Sequence, residues 1–418
     1  MSALRESRVP AERRYATRLG TLASLAVLSL AIAGCNSHDS SASQHPRHSP
    51  AAHPEVSSPS PQRPSAAQLS ANVEAGSTDV TVDKPVTVRV ADGTLADVVF
   101  RVHSHSARLP GAFDASHTTW RAKNLLEPGT RYVVRGRAED ADGRVTTRRI
   151  AFRTEPLTLA EQTYARIAPL QKETVGVGMP VIVQFDVPVS NRAKFERHMH
   201  VRATPATSGS WSWLSDTEVH WRPKTYWKPG TTVHVDLDIN GLGAGNGVYG
   251  QMDRSADFTV GQSVVMRANL RTDRMKVLLN GKLARTIPIT GGKPGLETRS
   301  GTKLIVEKFL SKRMDAATVG VSPSSPDYYN IPDVQYAQRV TFSGEFLHAA
   351  PWSVYAQGST NVSHGCVGMS TSNARWLFHL THRGDPVEVT GSSRSLEPGN
   401  GWTDWNESFT AFKKGSAL

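Results

Sequence analysis

Trp120-Arg121 is followed by Pro128-Gly129-Thr130, and Trp221-Arg222 by Pro229-Gly230-Thr231, with the same tryptophan-to-proline spacing. In each, a tryptophan-bearing strand leads to a Pro-Gly turn and then to an alternating strand. The flanking segments follow one plan. Residues 78–82 and 86–90 alternate apolar and polar, and Asp142-Gly143 marks a hairpin between 132–137 and 144–152. Residues 175–177 and 181–185 open the second unit. Short strands bounded by turns predict two related β-sandwiches, at 69–156 and 157–260.

A third domain is expected at 261–391. Asn280-Gly281 joins 275–279 to 282–289 as a strong hairpin signal, and 387–389 reads as a last strand. The tail, 392–418, carries Trp402, Trp405, Phe409 and Phe412. Four aromatic side chains favour burial, so the tail is expected to dock back across the boundary between sandwich and third domain. The chain of 418 residues is long enough for several such cores, and its formal charge of +11 implies anionic surroundings. Zinc-finger spacing, a Gly-rich phosphate loop and a basic-aromatic RNA motif are all missing, so nucleic acid is not the expected partner.

The chemistry concentrates between His348 and Ser370. Cys366 lies in a Ser363-His364-Gly365-Cys366 run, downstream of His348. A thiol attacks a carbonyl as the thiolate, and a nearby imidazole supports that form at neutral pH. His348 is the expected base. Gly365 leaves the backbone open, so the amides of His364, Gly365 and Cys366 are expected to face a developing oxyanion. Ser370-Thr371-Ser372 precedes Ala374, Leu377, Phe378 and Thr381 at helical spacing, which predicts a capped helix whose N-terminal end favours a thiolate. Residues 319–336, with Pro323, Pro326, Pro332, Tyr328, Tyr329 and Tyr336, read as a lid loop.

These residues carry a resemblance. His348 followed by Ser363-His364-Gly365-Cys366 resembles the signature of the L,D-transpeptidases, whose catalytic module is the YkuD domain. The order of two immunoglobulin-like modules before that domain resembles the multi-domain, membrane-anchored members. The resemblance implies an all-β-dominated chain ending in a mostly β catalytic domain with one or two short helices. It implies an acyltransferase that forms 3→3 cross-links between peptidoglycan stem peptides, a cysteine acyl-enzyme that carbapenems also form, and no metal or organic cofactor. It also implies that the carbonyl of Ala349 orients the imidazole, and that Tyr329, Ser343, Gly344, Trp352 and Ser363 line the substrate pocket. Two positions depart from the family. Gly368 stands where asparagine is common, which puts one hydrogen bond to substrate in doubt. Arg299 replaces a proline in the turn Thr298-Arg299-Ser300-Gly301.

Three rival readings stand beside this one. A cysteine peptidase or amidase would pass the same acyl group to water. A zinc hydrolase would use His348, His364 and Cys366 as ligands. A wall-binding lipoprotein would use the sandwiches alone.

Residues 1–35 read as an export signal: Arg5, Arg8, Arg13, Arg14 and Arg18 precede an apolar run at 22–32 that is too short to span a bilayer. Ile32-Ala33-Gly34-Cys35 resembles the lipobox of bacterial lipoproteins, which implies lipidation of Cys35 and attachment to the outer face of the cytoplasmic membrane. The chain has two cysteines, so Cys366 is then the one free thiol of an exported monomer. Residues 36–68, rich in Ser, Pro and His, read as a disordered tether.

Overall fold

The computed structural model describes residues 63–418. The export signal, Cys35 and most of the tether lie outside the described residues. Residues 66–68, expected to belong to the tether, are packed on the first sandwich. The amide of Ala66 donates to Asp140 at 3.0 Å, Ala67 is buried and Gln68–Ala71 is an edge strand.

The chain is strand-dominated, with two immunoglobulin-like sandwiches preceding a mostly β domain and only short helices among the described residues. In the first sandwich, a sheet of Gln68–Ala71, Thr87–Ala91, Thr119–Ala122 and Gly111–Phe113 faces one of Thr94–Val102, Arg131–Glu139 and Val145–Arg153. Trp120, Phe100, Tyr132 and Phe152 form its aromatic core, with ring centroids 5.3–6.0 Å apart. The hairpin closes at Gly143 (φ +77), where Asp140 accepts the amides of Asp142 and Arg144 at 2.9 Å. Residues 78–82 are not the expected strand. Val80 makes one isolated bridge to Thr154, although Val80 and Val82 are both buried. Their alternation records burial without ladder pairing.

The second sandwich pairs a sheet of Glu173–Val175, Arg254–Val260, Thr232–Leu237 and Met199–Thr204 with one of Gly209–Trp213, Glu218–Pro223, Val181–Phe185 and Ala165–Ala168. Trp221 lies opposite Trp211 and stacks on Trp227 at 5.3 Å. The repeated motif has one structural meaning. Trp120 and Trp221 are buried strand residues, and Gly129 (φ +59) and Gly230 (φ +77) take the left-handed turn that glycine favours.

The third domain has two sheets. One runs Lys282–Pro288, Arg274–Leu279, Val264–Asn269, Pro386–Thr390, Gly301–Leu304; the other runs Glu307–Asp315, Asn330–Arg339, Phe346–Ala349, Val367–Met369. Asn280 (φ +49) and Gly281 (φ +79) form the expected tight turn. The second sandwich abuts this domain through Gly176 and Gly178, whose amides donate to Arg383 at 2.7 Å and Gly384 at 2.9 Å. A Cβ on Gly176 would meet the Asp385 nitrogen at 2.2 Å, so this approach requires glycine.

The C-terminal residues touch both bodies. Asn406 bonds the backbone of Thr302 in the third domain through both ends of its amide, at 2.8 and 2.6 Å. Trp405 donates to the Gly178 carbonyl at 2.7 Å. On the second sandwich, the buried Arg222 guanidinium lies over Trp405 at 4.5 Å and Phe412 at 4.6 Å. Beside it, buried His220 is held by Asp404 at 2.7 Å and Glu218 at 2.8 Å.

Candidate active site

Two parallel strands set the geometry. The histidine strand, Phe346–Ala349, is buried at every position. It pairs with Val367–Met369 so that His348 lies opposite Gly368. Side chains two apart share a face of a sheet. Cys366, two residues before Gly368, therefore projects to the same side as His348. Both side chains line one cleft of about 250 Å³ with Tyr329, Trp352, Ser363, His364 and Gly368. Thr290, Met314, Ile331, Ala350, Ser353, Tyr355 and Val362 complete its wall. These positions were not singled out in the sequence, because they come from separate segments and carry no motif.

The imidazole is fixed. Nδ1 of His348 lies 2.8 Å from the Ala349 carbonyl oxygen. A carbonyl only accepts, so Nδ1 carries the proton and Nε2 keeps its lone pair. Burial holds His348 down at about 4, and burial pushes the Cys366 thiol up to about 12, with the Phe346 amide and Lys303 opposing the rise and the Glu345 carboxylate adding to it. At neutral pH the pair is a neutral imidazole beside a neutral thiol, which differs from the preformed thiolate expected from the sequence. The sulfur has a long contact, 3.7 Å, to the Gly344 carbonyl.

The expected help from a helix end is also absent at the sulfur. Thr371–Leu380 is helical and Ser370 caps it by accepting the Asn373 amide at 3.3 Å. The strand Val367–Met369 intervenes, so the first helical turn is roughly 10 Å further along the chain. A helix dipole fades beyond its first turn.

The Ser363-His364-Gly365-Cys366 run is braced by its serine. Ser363 Oγ donates to the Cys366 carbonyl at 2.6 Å and accepts the Gly365 amide at 3.1 Å. Gly365 has φ +120, a conformation that disfavours any side chain. Its amide is engaged inside the loop, so it is not the free oxyanion donor the sequence led us to expect.

The remaining expected pocket residues divide. Trp352 is half exposed and stacks on His348 with centroids 5.8 Å apart, so it is a cleft wall and not a core aromatic. Tyr329 leans over His364 at 5.0 Å, and burial pushes its hydroxyl up to about 12. Burial and the neighbouring Lys293 lower His364. Ser343 lies outside the cleft, held by Asn400 through its amide and hydroxyl at 2.9 Å. Gly344 (φ +99) lines an adjoining groove with Lys312, Arg313 and Phe346. Gly368 exchanges backbone hydrogen bonds with Thr290 at 2.9 and 3.0 Å, and a Cβ there would meet Ala350 Cβ at 2.9 Å. The missing asparagine follows from this crowding.

The lid reading needs correction. Residues 319–336 are not one loop, because Asn330–Arg339 is a strand paired with Glu307–Asp315. Only the tip of this hairpin is loop. Lys293 fastens it by donating to Asp327 at 2.6 Å. Among the described residues no three His, Cys, Asp or Glu side chains converge as metal ligands.

A bacterial Ig domain model matches residues 77–243, and an L,D-transpeptidase catalytic domain model matches residues 263–389. L,D-transpeptidase 2 of Mycobacterium tuberculosis (strain CDC 1551 / Oshkosh) is 36% identical over 351 residues, 84% of this chain and 85% of that protein. L,D-transpeptidase 5 of the H37Rv strain is 33% identical over 364 residues, 85% of this chain and 78% of that protein. A solved structure of LdtMt1 in complex with imipenem covers 54% of this chain and 98% of its own, at 35% identity and a TM-score of 0.48. With a cysteine–histidine cleft in a domain of this kind, and these relatives along most of its length, the chain belongs to the L,D-transpeptidase family.

Proposed function

We propose that the chain cross-links peptidoglycan stems 3→3 through an acyl-enzyme on Cys366. The supporting observation is the tautomer of His348, whose Nε2 is unprotonated in the cleft that holds the sulfur. With both groups neutral, proton transfer accompanies attack. The sulfur bonds to the carbonyl carbon between the third residue of a donor tetrapeptide and its terminal D-alanine, while Nε2 takes the thiol proton. Backbone amides of His364 and Cys366 receive the oxyanion, since that of Gly365 is occupied. Collapse breaks the C–N bond, and the imidazolium proton goes to the departing D-alanine nitrogen. The side-chain amine of a second stem then attacks the thioester, gives its proton to Nε2 and displaces the sulfur, which regains a proton.

The sandwiches at 69–156 and 157–260 then act as a stalk for the domain at 261–391, with 392–418 tying it to the second sandwich. Cys35 anchors the chain by a lipid to the outer face of the membrane, and the enzyme works as a monomer. Residues 63–418 incubated with defined tetrapeptide muropeptides, followed by mass spectrometry, test the reading. Dimers linked between two third residues are expected. Cleaved stems without dimers identify a hydrolase instead.

A further inference from the structure

Behind the sulfur lies a cluster of charges that this mechanism does not use. Lys303 sits on the strand Gly301–Leu304 with its side chain wholly buried, at a position where an apolar residue would ordinarily fill the core. Its ammonium is paired with Glu345, whose side chain is 5% exposed. The second Glu345 oxygen accepts from the Arg299 guanidinium at 3.1 Å and from the Arg299 amide at 3.0 Å. Arg299 also reaches Glu397, at 2.6 Å. Lys303 and Arg299 share the Glu345 carboxylate, and Glu397 gives Arg299 a second partner, so the four groups balance in formal charge.

Glu345 is where this cluster meets the cysteine loop. It stands between Gly344, whose carbonyl faces the sulfur at 3.7 Å, and Phe346, the first residue of the histidine strand. Its Cγ and Oε1 lie 3.7 Å from the position a Gly365 Cβ would take. Burying such ions costs several kcal/mol each, and hydrophobic replacements commonly stabilise a fold. Their presence behind a reactive group therefore calls for a role in the chemistry.

We propose that the Lys303–Glu345–Arg299 cluster is the positioning element of the nucleophile. Glu345 buttresses the turn at Gly365, and the Lys303 ammonium lies behind the sulfur and balances the charge the sulfur gains when it loses its proton. The proposal rests on Cys366 being the nucleophile. The other ionisable groups that line the cleft with the sulfur are His348, His364, Tyr329 and Tyr355. Of the four, only His348 is assigned a proton in the reaction, so the buried cluster is the fixed field against which that transfer runs.

The test is the rate of Cys366 alkylation by iodoacetamide in folded residues 63–418, at pH 8, followed by intact mass. Lys303→Met removes a positive charge and is expected to slow alkylation about tenfold, the effect of one pKa unit on the thiolate fraction. Glu345→Gln removes the negative charge and is expected to speed it. Lys303→Arg keeps the charge and is expected to restore most of the wild-type rate. Opposite directions for the first two variants set an electrostatic role apart from a structural one, which would move both the same way. If Lys303→Met does not fold, Glu345→Gln carries the test, and a slower or unchanged rate in it overturns the proposal. Wild-type protein whose Cys366 is modified neither by iodoacetamide nor by a tetrapeptide donor counts against Cys366 as nucleophile. Wild-type protein that reacts, with both variants unchanged, counts against the cluster alone.

Discussion

His348 stands directly across a parallel strand pair from Gly368, and its Nδ1 is committed to the carbonyl of its own neighbour, Ala349. Position and tautomer of the imidazole are thus both set by backbone. No side chain has to serve as the third member of the constellation, and alanine serves as well as any residue at 349.

The pH dependence follows from that burial. Burial depresses His348 to about 4, below the ordinary histidine value of 6.5. The base is competent while neutral, so its activity is retained as pH falls through 6.5 and lost only as pH approaches 4. A profile of kcat/KM for muropeptide transfer is expected to keep most of its value at pH 5.5. An acid limb centred near 6.5 would mean that the base is more solvated than this geometry allows.

Gly368→Asn restores the side chain common in the family but meets Ala350 Cβ at 2.9 Å and Thr290 Cγ2 at 3.2 Å. Overpacking of this kind costs about 1–3 kcal/mol. We expect a lower denaturation midpoint and a loss of transfer, read by urea titration and by muropeptide dimer yield.

Ser363→Ala removes both bonds that brace the cysteine loop. About 1 kcal/mol of stability per bond is at stake. The larger effect is expected on kcat, roughly tenfold, with KM changed less, because the loop positions the sulfur and the oxyanion donors. Steady-state kinetics with a defined donor and acceptor separate the two parameters.

The docked tail is expected to loosen in alkali. Burial opposes charge on His220, but the Asp404 and Glu218 carboxylates outweigh it and carry the imidazole up to about 9. A folded-state value above the unfolded 6.5 adds stability that is complete below 6.5 and is lost as pH rises through 9. Asp404→Asn removes one partner of this buried pair and should cost about 3 kcal/mol at pH 7. Limited proteolysis near residues 392–418 should increase in this variant, and in the wild type above pH 9.

Much of the site was legible because its chemistry is local in sequence. His348, Ser363, Gly365 and Cys366 announce themselves by type and spacing, and the Trp and Pro-Gly repeats mark corresponding strands and turns. What stayed hidden depends on contacts between distant segments. Arg299 read as a turn residue standing in place of a proline, yet it meets Glu345 and Glu397. Lys303 and Glu345 are ordinary charged letters until the fold buries them against each other. Tyr336 fell within the expected lid but packs at a tilt against Phe378 of the helix, because pairing with Glu307–Asp315 draws its segment into a sheet. The burial that favours the neutral forms of His348 and Cys366 is likewise a property of the assembled cleft.

Intact-mass analysis of residues 63–418 mixed with a tetrapeptide donor, without acceptor, tests the central claim most directly. The account predicts that wild-type protein gains the mass of the donor less D-alanine, on the peptide containing Cys366, and that Cys366→Ala gains nothing while staying folded. An adduct in Cys366→Ala, or cross-linked dimers produced by it, would contradict the account.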